Sequence, residues 1–155
     1  MKKFTAFVLV LTLVLSLAAC GGSGEAAAKK VDLAAVYAGY AAFMPDMFQP
    51  DNDTMLNFLG IEAADCTQAV VYICADGMRT DEVWLLEAKD AETLEKLKGL
   101  AEVRLQAKAD ETESYAPDQY AVVQKAQLLT NGNYLALLVS PEVDAMKAGF
   151  EAAFQ

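Results

Sequence analysis

Gln68-Ala69-Val70-Val71-Tyr72-Ile73-Cys74-Ala75, then Asp76-Gly77, then Glu82-Val83-Trp84-Leu85-Leu86-Glu87-Ala88, is the stretch on which the fold class turns. The first segment is apolar on both alternating faces, as in a central strand. Asp-Gly is a strong turn signal, and the second segment reads as its partner, so the two predict a hairpin. Downstream, Asp90 is placed to N-cap a long helix through about Glu113. On it Leu94, Leu97, Ala101 and Leu105 form an apolar stripe, with Glu92 and Lys96 as an exposed i,i+4 pair.

Tyr115-Ala116-Pro117-Asp118 breaks that helix, and a short turn through Val123 leads to a third strand, Lys125 to Thr130. Asn131-Gly132-Asn133 is a second hairpin turn, and Tyr134 to Val139 a fourth strand. Ser140 is read as the N-cap of a final helix with Pro141 at its first position and a buried stripe of Val143, Met146, Phe150 and Phe154.

Upstream, a helix from about Lys30 to Met44 carries a mostly small apolar face of Val31, Ala35, Tyr37, Ala38, Ala41 and Ala42. Pro45 and Pro50 punctuate a loop, Asp51 or Asp53 caps a short helix through Leu59, and Gly60 stops it. Two hairpins each followed by a helix, behind an N-terminal helix, predict a two-layer α+β domain over 30–155. The expected sheet has four strands, mainly antiparallel, with helices packed on one face. Strand order is not readable from one sequence.

The residues before this domain carry an address. Lys2 and Lys3 precede an apolar run from Phe4 to Leu17, and Leu17-Ala18-Ala19-Cys20 follows its end. A basic n-region, a short h-region and a small-residue cleavage site describe a secretory signal over 1–19. A membrane-spanning helix needs about 20 apolar residues, and this run stops in Cys20-Gly21-Gly22-Ser23-Gly24 before that length. The four residues resemble the lipobox of bacterial lipoproteins. That resemblance implies cleavage between Ala19 and Cys20, a diacylglyceryl thioether on Cys20, and a lipid-anchored protein on the extracytoplasmic face of the cell membrane. Residues 20–29 are then a flexible tether, with a reach on the order of 10–12 Å for its Gly/Ser part.

Composition removes whole classes of activity. The chain has 155 residues, 22 acidic and 12 basic side chains, three cysteines and no histidine. A net charge of −10, or −12 once Lys2 and Lys3 are removed, argues against nucleic acid as a partner. Without histidine there is no Ser-His triad, zincin or His-ligated metal site. Ser114 and Ser140 lack a histidine partner, no Ser-x-x-Lys motif occurs, and the mature chain has no phosphate loop. Asp51-Asn52-Asp53 begins like a calcium loop, with Glu62 at the twelfth position. Met55 stands where an oxygen ligand is needed and Leu56 where the sharp turn needs glycine, so a helix cap is the better reading. Asp110, Glu111, Glu113 and Asp118 read as a solvated helix end. No cofactor or metal is expected.

Cys66 and Cys74 are eight residues apart on extended chain, on the order of 20 Å or more, too far for an intrachain bridge. They read as buried free thiols. The aromatic route to function rests on Tyr115 and Tyr120 flanking Pro117, taken as the candidate interaction surface, with Tyr37, Tyr40 and Phe43 on the first helix.

Together these residues resemble a known family. Leu59-Gly60-Ile61, Val70-Val71-Tyr72, Asp81-Glu82-Val83, Arg104 and Gln106 carry the likeness in the first half. Tyr115-Ala116-Pro117-Asp118-Gln119-Tyr120, Gly132-Asn133-Tyr134 and Leu138-Val139-Ser140 carry it in the second. The pattern, from about Met55 to Phe154, is similar to the lipoprotein family called domain of unknown function 4358, of Gram-positive bacteria. It departs at Asp118, where a longer acid is expected. The resemblance implies a lipoprotein with an α+β domain and supplies no catalytic residues. The resulting expectation is a surface-tethered binding or assembly module, anchored by the lipid on Cys20 and facing an envelope protein. The alternative is an envelope enzyme, or enzyme accessory, using carboxylates or a thiol.

Overall fold

A computed structural model describes residues 30–155. The signal 1–19, with Leu17, Ala18, Ala19 and Cys20, and the tether 20–29 lie outside the described residues. No helix among the described residues is long and apolar enough to cross a membrane.

The domain is α+β, built on a sheet of five antiparallel strands: β1 (Met47–Phe48), β2 (Cys66–Cys74), β3 (Glu82–Ala88), β4 (Gln127–Asn131) and β5 (Tyr134–Val139). Their spatial order is β1-β2-β3-β5-β4. All four expected strands are present. The fifth, β1, is a two-residue strip in the segment between Pro45 and Pro50 read as loop, and two residues are too few to show a period. The β2–β3 connection is a loop over 75–81 rather than a two-residue turn. Within it Asp76 accepts from the Met78 amide at 2.9 Å. The β4–β5 hairpin has the expected tight turn: Asn131 pairs with Tyr134, and Gly132 sits at φ +55°.

The helices are α1 (Leu33–Ala38), α2 (Asn52–Thr54, continuing as a π-turn over Met55–Leu59), α3 (Ala91–Glu113), α4 (Pro117–Gln124) and α5 (Val143–Ala152). They cover both faces of the sheet, which corrects the one-face expectation. Trp84, Leu86, Leu135 and Leu137 pack against Leu97 and Ala101 of α3, with Met55, Leu59 and Ile61 beside them. On the other face Val83, Leu85, Ala136 and Leu138 meet Leu33 and Tyr40 near α1, and Met146 and Phe150 of α5. The reason lies in β3 and β5, whose unbroken apolar runs have no polar face to give to water; every residue of β5 is buried.

Three local readings change as well. The first helix is six residues, not fifteen. Asp32 caps it through the Ala34 and Ala35 amides, and its alanines face water while Val31, Leu33 and Tyr40 are buried. Larger side chains bury more apolar surface than an alanine stripe can, and Tyr40 gains further by donating its hydroxyl to the Met146 carbonyl at 2.8 Å. The turn after Pro117 is a two-turn helix with proline in its first turn. Ser140 accepts from the Glu142 amide at 3.2 Å, so it caps a turn, and the helix proper begins at Val143.

Candidate functional site

Where β3 begins, Glu82 is fully buried. Side chains two apart in a strand share a face, so Glu82 lies beside Trp84, whose indole N–H donates to Oε1 at 2.8 Å. Arg104 and Lys108 are one turn apart on α3 and reach the same carboxylate. The Arg104 Nε lies 3.0 Å from Oε1 and 3.1 Å from Oε2, and its Nη2 2.8 Å from Oε2. The Lys108 Nζ is 2.9 Å from Oε2 and also donates to the Thr80 carbonyl at 3.1 Å. Burial pushes the Glu82 carboxyl up, but the Arg104 hydrogen bonds and the charges of Lys108 and Arg104 outweigh it and hold it below its ordinary value. The Arg104 guanidinium also lies 4.6 Å over the Phe58 ring.

This cluster fixes the loop above it. Gln119 of α4 accepts from the amide and hydroxyl of Thr80 at 2.9 and 3.1 Å. Arg79 donates its Nε to Asp81 Oδ2 at 3.0 Å, while Asp81 Oδ1 is buried with no partner among the described residues. Between the loop and the α3–α4 corner lies a cleft of about 190 Å³ lined by Met78, Arg79, Thr80, Lys108, Glu111 and Tyr115, among others. Its mouth is apolar and open: Met78 is 78% and Tyr115 90% exposed.

Of the expected interaction surface, Tyr115 therefore stands at a cleft. Pro117 is exposed in the first turn of α4 and Tyr120 is half-buried further along it; neither lines the cleft. Cys66 and Cys74 are free thiols at opposite ends of β2. Burial, with the Asp65 charge adding, pushes the Cys66 thiol up to about 11, the opposite of activation. Asp51 accepts from the Thr54 amide at 2.8 Å, as a helix cap does. Asp110 accepts from Gln106 at 2.7 Å, and Glu113 and Asp118 are exposed. Among the described residues no three His, Cys, Asp or Glu side chains are grouped to hold a metal ion.

Sequence reasoning did not find the Glu82–Arg104–Lys108 cluster. A signal existed: a carboxylate opening a strand whose next four residues are apolar, with two cations at i,i+4 spacing beside the Ala101 and Leu105 stripe. A second groove, of about 680 Å³, lies at the other end of the sheet, between Lys30, Thr67, Glu87, Asn133, Tyr134 and Phe154.

A family model described as domain of unknown function (DUF4358) matches residues 41–140, a range that contains β1 to β5 and every residue of the buried cluster. No curated protein and no solved structure matches the chain.

Proposed function

The chain belongs to the DUF4358 family, and on that premise we propose that it is a lipid-anchored binding module. Cys20 carries the lipid, the membrane face is extracytoplasmic, and the cleft at Tyr115 is offered to an envelope protein. The observation that supports this reading is the polarity of the domain. Lys30, where the described chain begins, lies beside Thr67, Glu87 and Asn133 at one end of the sheet. The cleft lies at the end where β3 starts. Along the seven residues of β3 that separation is about 20 Å, so an anchor preceding Lys30 joins the domain at the end opposite the cleft. An exposed tyrosine beside a methionine at the mouth of a cleft is the kind of anchor that protein interfaces use. The enzyme alternative gains nothing at this site, because its best-held carboxylate, Glu82, is already bonded by Trp84, Arg104 and Lys108.

Two measurements test the reading. Cys20→Ala should abolish lipid labelling and membrane retention in intact cells; unchanged retention removes the anchor. A photocrosslinking residue at position 115 should capture a specific envelope protein that the same residue at exposed Val103 does not. Identical products from the two positions remove the cleft as the docking surface.

A further inference from the structure

We infer that the cleft receives a carboxylate, carried on a peptide segment with an adjoining apolar side chain. This rests on the binding reading above and gives it a ligand class. Arg104 and Lys108 both bond the single carboxylate of Glu82, and Arg79 bonds Asp81 through one nitrogen, so the two cations that line the cleft, Lys108 and Arg79, keep donors beyond those their acids take up. Lys108 lines the cleft with its side chain 7% exposed. Of its three ammonium protons, two are placed, on Glu82 and Thr80, among the described residues. Arg79 lines the same cleft and commits only Nε, to Asp81, so both terminal amino groups of its guanidinium have no partner among the described residues. A guanidinium edge and an ammonium lining one cleft are the kinds of donor that the two oxygens of a carboxylate accept from.

Size and charge narrow the class further. The cleft, about 190 Å³, has room for a carboxylate and the carbons next to it. Glu111 shares the lining, and its negative charge disfavours a dianion such as phosphate over a monoanion. Met78 and Tyr115 at the mouth supply apolar surface for the carbons next to the carboxylate.

The probe is N-acetylphenylalanine, compared with its amide, on the full chain in nanodiscs, read by saturation transfer to the phenyl protons. The acid is expected to show transfer at least tenfold stronger than the amide. Inorganic phosphate at equal concentration should not displace it, and Arg79→Gln, folded by circular dichroism, should lose most of the signal. Equal transfer to acid and amide, displacement by phosphate, or an unchanged signal in Arg79→Gln would each overturn the inference. Arg79 is the residue tested because Lys108 also supports the fold. If position 115 still captures a specific partner while acid and amide bind alike, the binding module stands and this ligand class falls.

Discussion

Glu82 and Arg104, 22 residues apart in the chain, face each other as a fork, with Arg104 Nε between the two carboxylate oxygens and Nη2 at 2.8 Å from Oε2. The pair joins the start of the central strand β3 to the middle of the long helix α3. Lys108 adds a second cation from the next turn. Removing the carboxylate strands two cations, Lys108 buried and Arg104 partly buried, whereas removing one cation leaves the carboxylate paired.

The asymmetry is measurable. Glu82→Ala is expected to cost about 3–5 kcal/mol, the range for breaking a buried ion pair from one side. Lys108→Met, which keeps the Arg104 fork and matches the apolar stem, should cost about 1–3 kcal/mol. Urea unfolding of the two variants checks the order; a Lys108→Met loss equal to that of Glu82→Ala would show that the fork does not hold Glu82 alone.

Acid should unfold the domain from the same point. Glu82, Asp65 and Glu87 all have carboxyl values below ordinary in the folded state: Glu82 through Arg104 and Lys108 against its burial, Asp65 through hydrogen bonds from Lys89 and Lys96, Glu87 through Gln68 and Thr67 against its burial. A depressed folded value contributes stability above the unfolded carboxylate range and loses it as pH falls through the folded value. The melting temperature should therefore hold from pH 7 down to about 5 and fall progressively below it. Glu82→Gln should lower the plateau and flatten the fall. A fall as steep as in the unaltered chain would assign the acid limb to the other lowered carboxyls, Asp65, Glu87 and the helix caps Asp51 and Asp90.

Of the two thiols expected to be buried, Cys74 is and Cys66 is half-buried, and both should react slowly. With Cys66 pushed up to about 11 from 9.0, its thiolate fraction near pH 8 is about a hundredfold below that of a free cysteine. An aryl disulfide reagent should label neither Cys66 nor Cys74 at a measurable rate in the folded chain and both in urea. Fast labelling of the folded protein would revive the thiol chemistry of the enzyme alternative.

Two glycines with positive φ should differ in what they tolerate. Gly60, at φ +74°, ends the π-turn with a would-be Cβ 3.0 Å from Leu100 Cδ2, so Gly60→Ala is expected to cost about 1–2 kcal/mol. Gly132, at φ +55°, has open space around it, and asparagine adopts that conformation readily. Gly132→Asn should cost about 0.5 kcal/mol or less, measured by the same urea curves.

Much of this fold was legible because its signals are local. β3, β5 and α3 fall on their expected residues, since an apolar run bounded by a turn, or an Asp90 cap followed by a 3.6-residue stripe, is written within one segment. The errors are of two kinds. The expected first helix runs past α1 because alanine favours helix whether or not it is buried, and the burial of Leu33 and Tyr40 is decided by partners on other elements. The second helical layer was missed although β5 carries no polar face, which is itself the sequence sign of a strand covered on both sides. At the site, Tyr115 was legible as an aromatic beside a helix break. The Glu82 cluster was not, because it depends on which face of β3 meets which turn of α3, a tertiary fact that no short window contains.

The strand order also dictates when the molecule can become whole. β5 is the last strand in the chain, yet it lies inside the sheet, between β3 and β4. Until residues 134–139 have been made and docked, β3 has one neighbour and β4 has none, and neither face of the sheet can close. A nascent chain therefore carries Trp84, Leu86 and the stripe of α3 with their packing incomplete until residues 134–139 have been made. Long-range pairing of this kind is slow and exposes edges while it waits. Residues 134–139 act as the commitment step of the domain, so a truncation before Tyr134 forfeits the whole domain rather than one hairpin.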